Sequence, residues 1–124
     1  MRVLDTSALI EVMHGTDKGK LVMDKLENEQ AAMTSLNVFE IFRNLKPAET
    51  AVFRNLLSGI NILDFDSAAA LESVRIEKEL ANTGEKIGIL DVLIAGICKK
   101  HSSTLITADR DFAKIKGLKT VVLQ

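Results

Sequence analysis

Tryptophan and tyrosine are absent from the sequence, and its only aromatic residues are five phenylalanines. Stacking of bases on an aromatic platform is therefore not an expected binding mode. Phe39, Phe42, Phe53, Phe65 and Phe112 mostly fit core positions. The one cysteine, Cys98, excludes an internal disulfide, and its place in an apolar segment reads as packing in a reducing compartment. A formal net charge of −1 gives no global basic field. That argues against a high-affinity nucleic-acid binder, but not against transient contact made through local Lys or Arg. No run approaches the ~18 apolar residues of a membrane span. The N-terminus opens on a strand pattern instead of a signal sequence, so a cytoplasmic protein is expected. Neither the P-loop nor the dinucleotide glycine pattern occurs, and no Ser-His-Asp or Cys-His set presents itself. His14 and His101 lack the partners a zinc site needs.

What is present is an ordinary globular mixture, 47% hydrophobic and 27% charged over 124 residues, enough for one core and too short for two domains. Residues 1–124 are expected to form a single unit without linker or repeat. Arg2 to Leu4 reads as a first strand. Thr6 to His14 has helical spacing and stops at Gly15, and Asp17 to Asn28 reads as a second helix. Ala31 to Thr34 is a strand candidate, and Ser35 is the expected cap of a helix carrying Glu40. On that helix Phe39, Phe42 and Leu45 are expected to face the core. Pro47 fits the first turn of the next helix, which runs to Leu57 before Gly59. Ile60 to Leu63 follows as a strand, then a long helix from Ser67 to Asn82 capped by Asp66. Ile89 to Lys100 is so apolar that it must be buried on most sides. Thr104 to Thr107 and Thr120 to Leu123 close the chain as strands, around a short helix from Arg110 to Ile115. Strands alternating with helices predict an α/β three-layer sandwich with a mostly parallel sheet of about five strands.

Four acids stand at comparable places in this pattern. Asp5 and Asp109 each follow a strand. Asp91 opens the apolar run Val92 to Cys98, and Glu40 lies inside a helix. Each has an ordinary alternative: Asp5 and Asp109 as helix caps, Asp111 as a helix-start charge, Glu40 as a surface partner of Arg43. Asp91 fits an ordinary role least well, because a desolvated carboxylate without a partner costs several kcal/mol. Strand-to-helix junctions share one edge of a parallel sheet, where α/β proteins build their sites. Carboxylates gathered there repel one another unless a cation lies among them. An oxygen-only donor set suits Mg²⁺ or Mn²⁺ better than zinc.

The string Val3-Leu4-Asp5-Thr6-Ser7-Ala8-Leu9-Ile10 resembles the opening of PIN-domain ribonucleases, in particular VapC-type toxins of toxin–antitoxin pairs. The resemblance continues through Thr34-Ser35 and Phe39-Glu40-Ile41, then Ile89-Leu90-Asp91-Val92-Leu93-Ile94-Ala95 and His101. It closes with Leu105-Ile106-Thr107-Ala108-Asp109-Arg110-Asp111-Phe112. The blocks come in the family's order and span nearly the whole chain.

That resemblance implies a PIN-like fold and a metal-dependent endoribonuclease. Asp5, Glu40, Asp91 and Asp109 fall on the family's acidic positions, with Asp5, Asp91 and Asp109 as metal ligands and Glu40 set to orient or deprotonate the attacking water. Ser7 and Thr107 fall on supporting hydroxyl positions, and Asp111 stands ready as a substitute for Asp109. The family cuts single-stranded or looped RNA. Arg43, Lys46, Lys86 and Arg110 are nearest in sequence to the acids, which makes them candidate phosphate contacts. A cognate antitoxin is implied as partner, seated on the helices around Leu9 to Met13, Leu21 to Leu26 and Phe39 to Leu45, and a homodimer is implied as well. Two alternatives remain: a non-catalytic module of the same fold, and another Mg²⁺-dependent phosphoryl-transfer domain. A receiver-like domain would want adjacent acids after the first strand and a Lys after the last, whereas Asp5 is followed by Thr6 and Ser7.

Overall fold

The computed structural model describes residues 1–123. Its elements run β1 (Arg2–Leu4), α1 (Thr6–Met13), α2 (Asp17–Lys25), β2 (Ala31–Thr34), α3 (Ser35–Asn44), α4 (Pro47–Leu57), β3 (Asn61–Leu63), α5 (Ser67–Asn82), α6 (Ile89–Lys100), β4 (Thr104–Thr107), a 3₁₀ helix (Arg110–Lys114) and β5 (Thr120–Val122). The expected alternation of strands and helices is present. The sheet is parallel at every pairing, in the order β3-β2-β1-β4-β5.

Three-residue strands hold because both faces of the sheet are covered, as a parallel sheet requires. Successive side chains on a strand point to opposite faces. Val3, Ala32 and Leu105 therefore join the core under α5 and α6, with Ile76, Ile94, Ile97 and Phe112. Their neighbours Leu4, Met33 and Ile106 join the opposite core, with Leu9 of α1, Val22 of α2, Ile41 of α3 and Phe53 of α4. The register aligns these layers: Val3 lies beside Leu105 and Leu4 beside Ile106. Full burial of each large apolar side chain contributes about 1.5–3 kcal/mol.

The helices start and stop for local reasons. Thr16, Thr34 and Asp66 each accept a backbone N–H in the first turn of the helix they precede, α2, α3 and α5 respectively. The cap of α3 is thus Thr34 and not Ser35, because the hydroxyl one residue earlier reaches the amide of Asn37. Ser35 Oγ instead accepts from the amide of Phe65 at 3.3 Å. Helix α2 ends at Lys25, short of the expected Asn28, since Glu27 and Asn28 adopt positive φ and turn the chain into β2. On α3, Ile41 is buried and Phe42 partly so, whereas Phe39 is 58% exposed, against the expectation of a core position. Helix α6 is buried along Val92 and Ile94–Cys98 as expected. It approaches α5 closely at Gly96, where a Cβ would lie 1.9 Å from Ser73 Oγ and 2.7 Å from the carbonyl oxygen of Ala69. Cys98 is fully buried, and desolvation pushes its thiol up to about 12, so it packs and does not react.

The order β3-β2-β1-β4-β5 puts the topological switch between β1 and β4. The chain leaves β1 toward β2 on one side, and β4 is added later on the other. In open parallel sheets that switch opens a crevice beyond the carboxyl ends of the strands. Here those ends are Leu4-Asp5, Thr34 and Thr107.

Candidate functional site

Asp5 leaves β1 directly into this crevice. It occupies the N-cap position of α1 but makes no side-chain cap bond. Its carboxylate turns across the sheet, accepting from Thr107 Oγ1 at 2.7 Å and from Asn37 Nδ2 at 3.0 Å. Asp5 is only 7% exposed, and that burial pushes its carboxyl above the ordinary range. The bonds from Thr107, the Thr6 amide and Asn37 pull it back by favouring the charged form, while Asp109 opposes them.

The other acids come from three more elements. Glu40, one turn beyond Asn37 on α3, accepts from Thr6 Oγ1 at 2.9 Å and from Asn37 Nδ2 at 3.4 Å. It does not form the surface pair with Arg43, whose guanidinium instead lies over the Phe39 ring, 5.5 Å from its centroid. Asp109 caps the 3₁₀ helix, accepting from the Asp111 amide at 2.9 Å, while its own amide donates to Thr107 Oγ1 at 3.0 Å. Thr107 thus joins two of the acids through one hydroxyl. Asp91 stands in the first turn of α6, partly buried. Desolvation first, then the charges of Asp5, Asp109, Glu40 and Asp111, push it up to about 6. That list of neighbours is the clearest sign that five acids share one field, although they lie up to 106 positions apart in the sequence.

Ser7 accepts from the Ala108 amide at 3.1 Å, which ties α1 to the loop beyond β4. Asp111 is drawn to one side by an ion pair with Lys114 at 3.0 Å. Arg43, Lys46 and Arg110 are exposed near the acids in sequence, and Lys86 lies on the connection between α5 and α6. The backbone amide of Lys46 is occupied by Glu49 Oε1 at 3.0 Å. Three polar residues were not anticipated from sequence: Asn37, Thr6 and the buried hydroxyl of Thr34. The signal available for Asn37 was its spacing, three residues after Thr34 and three before Glu40 on one helix face.

Among the described residues, no three acidic, histidine or cysteine side chains are gathered closely enough to enclose a metal ion between them. The donors nonetheless fit one kind of cation. Mg²⁺ keeps much of its water shell and is held by one or two carboxylates, the rest acting through water. A set of oxygen donors whose mutual repulsion adds to desolvation in raising Asp91 is stabilised by a divalent charge placed among them.

A cavity of about 150 Å³ opens beside the crevice between α1, α3 and α4, bounded by Thr6 and Glu40 on one side and Ile10, Met13, Leu45 and Phe53 on the other.

A family model described as PIN domain matches residues 2–118. The chain is 27% identical over 124 residues to the tRNA(fMet)-specific endonuclease VapC of Shigella flexneri, covering 95% of this chain and 94% of that protein. In fold it is similar to VapBC2 from Rickettsia felis bound to a DNA fragment from its promoter, with a TM-score of 0.85 at 21% identity over 99% of this chain and 98% of that one. DNA-bound VapBC from Salmonella typhimurium is comparable, with a TM-score of 0.83 at 25% identity over 98% of each chain.

Proposed function

The chain belongs to the PIN-domain family, and from that membership we propose that it is a divalent-metal-dependent endoribonuclease, the toxin of a toxin–antitoxin pair. The observation that carries the reading is Asp91, a carboxylate pushed up to about 6 by desolvation and then by four other acids at the switch point of a parallel sheet. A cluster of this kind is costly to fold around, since carboxylates gathered in one place repel one another. It suits the binding of a cation and the handling of a phosphodiester.

Asp5, Asp91 and Asp109 would hold Mg²⁺ or Mn²⁺, directly or through water, with Asp111 beside Asp109. When bound, the cation acidifies water and offsets charge at phosphorus. The chain's own residues do the rest. Thr107 and Asn37 hold the Asp5 carboxylate in place and favour its charged form against the desolvation that opposes it. Glu40, steadied by Thr6, would orient the attacking water and take its proton. Asp91 sheds its proton as the pH rises past about 6 and adds its charge to the site. Arg43 and Arg110, both exposed, would supply local basic contacts to backbone phosphates on a chain with no net positive charge.

The antitoxin is proposed on the α1–α3 side. There Leu9, Val22, Leu26 and Ile41 are buried in the core, which leaves Leu21, Met23 and Phe39 as exposed anchors. The solved VapBC complexes similar in fold support a protein partner. A cytoplasmic homodimer is proposed with it; no helix is long and apolar enough to cross a membrane among the described residues.

Cleavage of a panel of single-stranded and looped RNAs tests the reading, with wild type beside Asp91→Asn and EDTA controls. Cutting that requires Mg²⁺ or Mn²⁺ and is lost in the variant is the expected result. An inert wild type would favour a binding module, and equal cutting by both proteins would mark a contaminant.

A further inference from the structure

We propose that Asn37 is a positioning residue that fixes the carboxylates of Asp5 and Glu40 for a divalent cation, through a one-way chain of hydrogen bonds beginning at Thr34. The proposal rests on the cation-dependent reading of the site and adds a residue to it. Asn37 has no exposed surface, and no polar side chain among the described residues is buried without a partner. Its Nδ2 donates to Asp5 Oδ1 and to Thr6 Oγ1, each at 3.0 Å, and lies 3.4 Å from Glu40 Oε1. Its Oδ1 accepts from Thr34 Oγ1 at 2.6 Å, and Thr34 Oγ1 accepts in turn from the amide of Asn37 at 3.1 Å.

These contacts allow only one direction. An amide has two donors on nitrogen and acceptor capacity on oxygen. A flipped Asn37 would set its carbonyl oxygen against two carboxylates. With Nδ2 facing the acids, the Thr6 oxygen is used as an acceptor, so its hydrogen goes to Glu40 Oε1, at 2.9 Å. Donation therefore runs one way, from Thr34 to Asn37, from Asn37 to Asp5 and Thr6, and from Thr6 to Glu40. A network that only donates at its two ends is best satisfied by ionised carboxylates there, because charge-assisted bonds are the stronger ones. The amide dipole also supplies partial positive charge between two like charges, so their repulsion does not spread them before the cation arrives. Without Asn37, Asp5 would keep only its bond from Thr107 and Glu40 only its bond from Thr6, and no group would link the two carboxylates.

The test compares full-length wild type with Asn37→Leu, which keeps the branched outline, removes both donors and adds some bulk at a fully buried position. A second pair is Thr34→Val and Thr34→Ser, because Thr34 touches no acid. Mn²⁺ affinity by calorimetry, kcat and KM on an RNA substrate, and the thermal midpoint are measured for each. Asn37→Leu is expected to weaken Mn²⁺ binding about 10–100-fold and to lower kcat comparably, with KM for RNA little changed. Thr34→Val should shift both in the same direction by less, and Thr34→Ser, which keeps the hydroxyl, should recover them. If Asn37→Leu does not fold, the Thr34 pair decides alone. A lower midpoint with unchanged Mn²⁺ affinity and kcat would make Asn37 a packing residue and overturn the proposal. A wild type that binds Mn²⁺ but cuts no RNA would remove the nuclease reading, while the affinities would still decide the role of Asn37. A wild type that binds no Mn²⁺ overturns both.

Discussion

Replacing Asp91 by asparagine is expected to make the metal-free protein more stable while abolishing the proposed activity. Partial burial and four neighbouring carboxylates raise Asp91 from 3.8 to about 6. Between those values the folded state holds the proton and the unfolded state has released it, so folding loses stability as the pH rises. The destabilisation is absent below about pH 4 and complete above about pH 6. The full shift would correspond to about 3 kcal/mol. Water reaches this partly exposed group and screens its neighbours, so about 1 kcal/mol is the expected gain, or about 4 °C in Tm for a domain of this size. Urea denaturation in EDTA, read by circular dichroism, gives the number at pH 7.5 and at steps down to pH 4. The gain of Asp91→Asn should shrink steadily across that range. Adding Mg²⁺ should then stabilise wild type more than the variant, since the variant has lost part of the charge that attracts the cation. A variant no more stable than wild type at pH 7.5, or a gain that does not vary with pH, would refute the account of five acids in one field.

Thr107→Val removes the donor to Asp5 and the acceptor for the Asp109 amide at nearly constant shape. It should cost about 1–3 kcal/mol in urea unfolding and move the acid limb of the pH–rate profile upward, because the lost bond favoured the ionised Asp5. Gly96→Ala forces a methyl into Ser73 and the Ala69 carbonyl, so a loss of about 1–3 kcal/mol or more is expected by the same assay, with activity of the folded fraction retained. Arg110→Ala, at an exposed position, should raise KM for RNA with kcat and Tm preserved; an unchanged KM would remove it from the substrate path.

Local chemistry in the sequence was enough for the layers and for singling out three acids, whereas Glu40 was placed with them only by the family resemblance. Alternation of short apolar runs with 3.6-residue stripes marks strands and helices, because side-chain direction repeats every 2 residues in one and every 3.6 in the other. An acid directly after a strand, as at Asp5 and Asp109, therefore had a readable place. So did Asp91, set against the apolar run it opens. Capping is equally local, yet it was misplaced by one residue at α3, where Thr34 and Ser35 both carry a hydroxyl and only the backbone path into the helix selects between them.

The rest depended on contacts between residues far apart in the chain. Strand order comes from pairing between distant segments, and only that order brings Thr107 within 2.7 Å of Asp5 across 102 positions. Phe39 shows the limit from the other side: a stripe says which residues share a helix face, not whether a neighbouring element covers it. Asn37 reads in sequence as one polar residue on a mixed helix. It becomes the link between Asp5 and Glu40 only when α3 is laid across the end of β1. The sequence by itself determined which groups were available, an oxygen-rich acid set on an α/β alternation. The tertiary structure decided which of them share a field and which hydroxyls and amides aim them, because electrostatics and hydrogen bonds depend on distance in space, and the chain's own spacing does not contain it.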